Sequence, residues 1–496
     1  MKRHIRERFA RKQSVFFIAP TIADIEGAAH NLEKGIEQYT FVLHSSLSEK
    51  EVVRRWYQAL ACPHPVLIIA TAQFLSLPLP RLGIIILDQE HSMAYKTLSR
   101  PYLDQRTFAR FYATAAHIDL LYADRLLSLE TLEEFAQGKY LALSPLKFRP
   151  LTEANVQVID MRPDKHSQTK NTFRLLSREV ERAVRDTLAS RTQMFLFAHR
   201  KGLAPTTVCQ DCETIVSCRE CTTPLALFVS TAGRTQSRDG TSGAQIFRCP
   251  LCHFEKPAED QCVSCGSWRF ALLGIGIEKV EETLRTKYPE APLFILDAEH
   301  VKSHEAAKKL VRDFFATPGA LLLGTEMSLY YLREPVARTA VVSLDALFAI
   351  PNFRMREKIM HLLLQMREGT TRDYLIQTRK PDDPLFPLLV RGDCMTWQRD
   401  ELEERKQFHY PPYALFIKIS TTESRPEDRE RMQHLALLLK SYKPALYAPK
   451  SRHKGQERLH LLLRLDPQSW PDAQVVEQIK TLPPQYSVQV DPETLL

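Results

Sequence analysis

The chain has 496 residues, a net charge of +8 and an apolar fraction of 44%, the composition of a globular protein with length for roughly three domains. Its longest apolar runs, such as Gly83-Ile84-Ile85-Ile86-Leu87, fall far short of the ~20 residues that span a bilayer, so a membrane is not an expected partner. The basic balance favours an anionic partner, with nucleic acid the first candidate, and the lack of an apolar N-terminal signal segment leads us to expect a cytoplasmic location.

Short β-rich runs alternate with helical stretches from the start: Val15–Ile18, Val66–Ile69, Ile84–Leu87. Near-continuous apolar strands between amphipathic segments predict a parallel sheet covered on both faces, here over residues 1–145. Pro145, Pro150 and Pro163 in a polar context predict a linker over 146–170. A second set follows over 171–395, with Met194–Phe197, Leu293–Leu296, Ala320–Leu323 and Val341–Leu344 as its strands. After Tyr410-Pro411-Pro412-Tyr413 the pattern becomes that of a smaller α+β domain, bounded here as 396–496.

A cysteine-rich module at 205–270 interrupts the second set. Eight of the ten cysteines fall there, in four Cys-x-x-Cys pairs: Cys209/Cys212, Cys218/Cys221, Cys249/Cys252 and Cys262/Cys265. Each such loop brings two thiolates to one side of a tetrahedral ion, so eight suit two zinc ions. Nothing in the sequence points to an oxidising compartment, which argues against disulfides. Four thiolates leave no open position for water, so the zincs are expected to be structural.

Asp88-Gln89-Glu90-His91 follows an apolar strand, where α/β nucleotide enzymes hold Mg²⁺. Other segments join it in one order along the chain: Ala19-Pro20, Leu43–Ser48 with Trp56, Tyr95-Lys96, Pro101-Tyr102 and Arg106. Later come Phe197–Pro205, Gly274–Glu281, Gly324–Met327, Asp345, Phe353-Arg354, Tyr410-Pro411-Pro412 and Val490-Asp491-Pro492. Together they resemble the PriA family (primosomal protein N′), replication-restart DNA helicases of superfamily two, across residues 4–496. The resemblance implies two RecA-like helicase lobes with parallel sheets, an inserted two-zinc module and a small α+β C-terminal domain. It also implies a nested metal pairing, with Cys209, Cys212, Cys262 and Cys265 on one zinc and Cys218, Cys221, Cys249 and Cys252 on the other.

The chain departs from the family at its motor. Hydrolysis by this fold needs a P-loop, and no G-x-x-x-x-G-K-[ST] occurs; Gly138-Lys139 is followed by Tyr140. His4–Gln13 resembles the helix just after the family's P-loop, which implies that the chain starts past it and past the family's N-terminal DNA-binding domain. The family's G-S-A-T-P-S motif is replaced by Tyr122–Leu127, its K-G-H-x-F by Leu329–Leu332, and its arginine-finger motif by Gln365–Arg372. Gln89 stands where the family has Glu. These groups stabilise transition-state charge, so their joint decay points to a pseudo-helicase, with ATP and Mg²⁺ doubtful as cofactors.

On this reading Asp88 and Glu90 are relics of a catalytic box. His199, Arg200 and Lys201 are candidate phosphate contacts, with a solvated basic turn as the alternative. Arg219, Arg234, Arg238 and Arg248 could follow a nucleic-acid backbone. Trp268 and Phe270, just after the last cysteine, could stack on a base, with packing of the small zinc core as the favoured reading. The expected protein is a monomer that binds branched or single-stranded DNA in replication restart, with primosome or single-strand-binding proteins as further partners. Two rivals stay open: an active 3′-to-5′ helicase whose P-loop lies upstream of a misassigned start, and a protein-binding zinc scaffold without DNA affinity.

Overall fold

A computed structural model describes residues 1–97, 99–143, 153–162, 174–199, 206–209, 211, 216, 218–219, 225–229, 245–249, 254–257, 261–273, 276–348, 350, 352–422, 426–447 and 458–495. The chain divides into two compact units, Met1–Pro145 and Leu146–Leu496. Among the described residues no helix is long and apolar enough to cross a membrane.

The first unit holds β1 (Ser14–Ile18), β2 (Thr40–Leu43), β3 (Leu67–Ala70), β4 (Leu82–Asp88) and β5 (Asp119–Ala123). They form one sheet in the order β2-β3-β1-β4-β5, every pair parallel. Helices α1 (Lys2–Ala10), α2 (Ile22–Leu32), α3 (Glu49–Ala61), α4 (Gln105–Ala116) and α5 (Leu129–Ala136) connect and cover it. Both faces are apolar because successive side chains alternate between them. Phe16, Ile68 and Ile85 enter one core; Val15, Phe17, Ile69 and Ile86 enter the other. Side chains of Thr21, Ser48, Asp104 and Ser128 cap the starts of α2 to α5, satisfying amides that a helix leaves unpaired.

The second unit begins with β6 (Asn155–Asp160), α6 (Arg178–Ser190) and β7 (Met194–Ala198). The cysteine module follows, with β8 (Thr206–Cys209), β9 (Ala226–Val229), β10 (Gln245–Arg248), β11 (Glu255–Pro257) and β12 (Phe270–Leu273). The lobe then resumes with α7 (Ile277–Lys287), β13 (Leu293–Leu296), α8 (His304–Ala316), β14 (Leu321–Gly324) and β15 (Val336–Ser343). It continues through α9 (Asp345–Phe348), α10 (Met355–Glu368) and β16 (Thr370–Thr378). Its parallel sheet runs β13-β14-β7-β15-β16-β6. Thus both lobes are parallel α/β sheets, as expected of the RecA-like class.

β6 corrects the sequence expectation of a linker over 146–170: Asn155–Asp160 is the outer strand of this sheet. Its N-V-Q-V-I-D alternation belongs to a half-covered edge strand, a signal obscured by the prolines around it. The boundary expected at 396 also falls inside an element. α11 (Leu385–Arg391) packs on α12 (Cys394–Gln407), and the C-terminal sheet starts only at Leu415. That sheet comprises β17 (Leu415–Thr422), β18 (Ala445–Tyr447), β19 (Arg458–Leu465) and β20 (Ser487–Val490), antiparallel in the order β18-β19-β17-β20. α13 (Pro426–Leu438) and α14 (Ala473–Lys480) accompany it, with Met432, Leu435 and Val475 packed on Ile417, Leu461 and Leu463.

Arg405 on α12 is 1% exposed. Its guanidinium donates to Glu357 Oε2 on α10 at 2.7 Å and to the Pro411 carbonyl at 3.2 Å. Arg354 reaches Asp491 Oδ1 at 2.7 Å, and Phe353 stacks on Tyr410 with centroids 5.3 Å apart. These contacts fasten the C-terminal domain to α10 within the second unit.

Two consequences are measurable. A Cβ at Gly324 would lie 1.9 Å from Ser328 Oγ and 3.1 Å from the Leu296 carbonyl that this hydroxyl bonds. Gly324→Ala should therefore lower unfolding stability by about 1–3 kcal/mol in urea titrations. His460 is buried, with Ser420 Oγ 2.6 Å from its Nδ1; burial, then Lys418 and Arg458, push it down to about 4. Its folded value lies below the ordinary 6.5, so the unfolded chain binds the proton first as pH falls. Stability should drop between about pH 6.5 and 4, and His460→Gln should flatten that part of the profile.

Candidate functional site

Asp88 ends β4, and Gln89 turns the chain with φ +51°, a left-handed conformation uncommon for a side-chain-bearing residue. Tyr95 secures the turn from below, its hydroxyl donating to the Asp88 carbonyl at 2.5 Å and to the Ile18 carbonyl at 3.3 Å. Glu90 is 4% exposed. Its carboxylate accepts the Ser128 amide at 2.8 Å, the Ser128 hydroxyl at 2.8 Å and the Thr131 hydroxyl at 2.9 Å. Arg106 donates to the Glu90 carbonyl at 3.0 Å, and its guanidinium lies 4.0 Å from the carboxylate. Burial pushes the Glu90 carboxyl up, while Arg106 and Ser128 favour its charge. Glu90 therefore works as a cap at the start of α5, where a helix favours negative charge.

His91 folds back onto Asp124, whose Oδ2 accepts the His91 amide at 2.9 Å and lies 2.6 Å from Nδ1. Asp88, Asp124 and Asp24 share this carboxyl edge. Burial, then repulsion by Asp124 and Asp24, pushes Asp88 up to about 6. Asp24, Asp124, Ser128 and Thr131 were not found from sequence. Ser128 three residues before Thr131 at a helix start was the legible signal for the cap. Asp24 belongs to a segment with no motif of its own, and Asp124 to Tyr122–Leu127, noted only as replacing a family motif.

In the second unit His199 follows β7 at the carboxyl edge. Burial lowers its pKa, with Glu326 opposing and Lys358 adding to the shift; those two pair at 2.9 Å. Arg200 and Lys201 lie outside the described residues. The finger-like segment takes structural positions. Gln365 Nε2 donates to the Leu329 carbonyl at 3.2 Å, and Arg367 is 8% exposed, bonded to the Leu389 carbonyl. α10 passes into β16 through Gly369 alone. Arg372 is the third residue of β16, at the sheet's amino edge, ~20 Å of strand from the carboxyl edge where such sheets bind ligands.

Cys209 closes β8, and its sulfur, with those of Cys262 and Cys265, forms a cluster within 4.8 Å. Cys209 and Cys265 sulfurs are 3.5 Å apart, beyond a disulfide bond and close to the ~3.8 Å edge of a tetrahedron with ~2.3 Å metal–sulfur bonds. Spacing and soft donors both fit zinc, on the segments that the nested pairing joins. Cys218 and Cys249 are buried together with Leu225 and Phe247. Cys212, Cys221 and Cys252 lie outside the described residues. Arg219 stacks over Phe254 at 4.4 Å and Arg248 pairs with Glu255 at 2.6 Å, while Arg234 and Arg238 are also outside. Phe270 packs edge-on against Phe247 at 4.9 Å, but Trp268 is 73% exposed. The expectation that Trp268 packs the zinc core is thus corrected: the turn Cys262–Ser267 points it outward beyond the small core.

Glu90→Gln should cost about 1–3 kcal/mol of stability by mismatching a buried cap, read as a shift in denaturant midpoint. Asp88→Asn should have the opposite sign. The folded value near 6 exceeds the ordinary 3.8, so the charge opposes folding above pH 6 and not below 3.8. The variant should raise Tm at pH 7–8, with a gain that fades by about pH 4.

No family model matches the chain. It is 26% identical over 453 residues to the Replication restart protein PriA of Synechocystis sp. (strain ATCC 27184 / PCC 6803 / Kazusa), covering 88% of this chain and 53% of that protein. It is 26% identical over 439 residues to that of Treponema pallidum (strain Nichols), 86% of this chain and 63% of the relative. With that of Haemophilus influenzae (strain ATCC 51907 / DSM 11121 / KW20 / Rd) the figures are 27% over 441 residues, 85% and 57%. The chain thus spans little more than half the length of the curated relatives it matches. Among solved structures it is similar to S. cerevisiae Dbp5 bound to RNA (TM-score 0.42, 9% identity, 80% of this chain and 81% of that one). RecG bound to a three-way DNA junction gives TM-score 0.42 and 10% identity, over 82% and 42%. By sequence, across most of its length, the chain is PriA-like, a relative of the replication restart proteins.

Proposed function

We propose that the chain is a DNA-binding protein of replication restart that keeps the PriA-like framework and has lost, or nearly lost, ATPase and helicase activity. One observation carries the loss: Glu90, the second acid of the box, is spent on capping α5 with three hydrogen bonds. With one oxygen accepting two of these bonds, the other accepting one, and the side chain 4% exposed, the carboxylate is turned from solvent and badly placed to orient water for attack on a phosphate. The buried Arg367 and the amino-edge Arg372 support the same reading. The DNA partner is supported by the similarity to PriA proteins and by the net charge of +8. Branched or single-stranded DNA is the proposed ligand, with His199, Arg200 and Lys201 as phosphate contacts.

Two structural zincs complete the proposal, one on Cys209, Cys212, Cys262 and Cys265 and the other on Cys218, Cys221, Cys249 and Cys252. They would hold a module with few apolar residues in one shape, leaving primosome or single-strand-binding proteins a fixed surface to meet.

The test is ATP hydrolysis by the purified chain with and without forked DNA, with binding followed in the same samples. We expect binding that falls steeply with salt, no DNA-stimulated turnover, and two zincs per chain by metal analysis. DNA-stimulated turnover abolished by Asp88→Asn would restore the active-helicase reading. Absence of DNA binding at low salt would leave the zinc scaffold.

A further inference from the structure

The loop Cys262–Ser267 is closed on itself. The Cys262 amide donates to the Ser267 carbonyl at 2.7 Å and the Gly266 amide to the Cys262 carbonyl at 2.8 Å, with Gly266 at φ +71° making the turn. Trp268 follows, and both of its chain neighbours are tied to one carboxylate. The Ser267 hydroxyl donates to Asp211 Oδ2, and the Arg269 guanidinium donates to Asp211 Oδ1 at 3.2 Å. The Ser267 hydroxyl also accepts the Arg269 amide at 3.1 Å. The backbone is thus fixed on either side of an indole that is 73% exposed. Burial would stabilise a ring of this size, and the mount holds it away from Phe247 and Phe270, the aromatic pair of the module's core. Cations stand beside aromatic rings through the module: Arg219 over Phe254 at 4.4 Å, Lys256 over Phe247 at 5.4 Å, and Arg269 next in the chain to Trp268.

We propose that Trp268 is a stacking platform for a base of single-stranded DNA, held out by the knuckle Cys262–Ser267. The inference rests on the DNA-binding reading above and says where, and in what form, the DNA is gripped. Bases in a duplex are covered on both faces by their neighbours, so a lone indole meets a base face only where the strand is open. Every base has such a face, so the contact is indifferent to sequence. Arg269, whose side chain keeps 55% exposure beside Asp211, stands one residue away to meet the phosphate backbone. Nucleic acid is favoured over a protein partner by what surrounds the ring. An anchoring tryptophan in a protein interface sits within a rim of contacts that exclude water. Here the knuckle offers Val263 as its one large apolar side chain, with Ser264, Gly266, Ser267 and Arg269 as the rest.

The full chain, titrated with oligo(dT) of about 12 nucleotides and with a duplex of the same length, tests it. Trp397 is buried and Trp56 and Trp470 are half-buried, so Trp268 is the most exposed tryptophan and its fluorescence should be quenched by oligo(dT). Trp268→Ala should weaken oligo(dT) binding roughly tenfold and leave duplex binding unchanged. The slope of affinity against salt should also stay as it was, because stacking releases no counterions. Trp268→Phe should keep most of the affinity and lose the quench. Oligo(dT) binding that Trp268→Ala leaves intact overturns the inference while the DNA-binding reading stands; a chain that binds no oligo(dT) at low salt overturns both. A loss that extends equally to the duplex, or that Trp268→Phe does not restore, marks a structural role and also overturns it. If Trp268→Ala fails to fold, the quench decides alone: present in the parent chain and absent in Trp268→Phe supports the platform, and any other result sinks it.

Discussion

A carboxylate taken out of water must be given donors, and much of the first unit's carboxyl edge is arranged around that need at Glu90. Burial leaves the charge few places to go. Ser128 and Thr131 supply hydrogen bonds from the first turn of α5, and the helix end gains an anion where its own amides are unpaired. Arg106 holds the preceding backbone by the Glu90 carbonyl while pairing with Asp104 at the start of α4. One residue, by its carboxylate and by its carbonyl, thus ties the starts of two helices to the end of β4. A buried acid at the end of β4 serves as a joint of the scaffold.

The parallel strands were plain in the sequence because each is an unbroken apolar run, and β1, β4, β7 and β13 stand where those runs stand. β6 was not, since its alternation is short and surrounded by prolines, and pairing with β16 is a tertiary fact that no local pattern carries. The cysteine spacing told which chemistry to expect, and the structure brings Cys209 to Cys262 and Cys265 across the module. The bonding of Glu90 to the start of α5 was illegible. The motif is read from four consecutive residues, whereas the capping hydroxyls come 38 and 41 positions later. Trp268 misled for a related reason: large aromatics near small metal cores usually pack, and only the direction of the turn decides otherwise.

The second unit shows a different solution to buried charge. Arg405 has almost no contact with solvent and is held by Glu357, by the Pro411 carbonyl and, more distantly, by Glu401 at 3.9 Å. Burial pushes Glu401 up to about 7 against the pull of Arg405 and Arg356. A guanidinium that cannot lose its proton is the durable member of such a set. Removing either partner strands a charge, which is why buried pairs of this kind tend to be kept whole even when they add little net stability.

The cysteine module enters through β8 and leaves through β12, and these two strands pair directly, Thr206 opposite Leu273. The chain therefore returns to within one strand spacing of where it departed. Nothing in the lobe's sheet has to open to accommodate the module's length, since β7 and α7 meet the same two neighbouring ends whatever lies between them. In evolutionary terms such a graft is free to grow, shrink or change its surface while the lobe that carries it stays as it was.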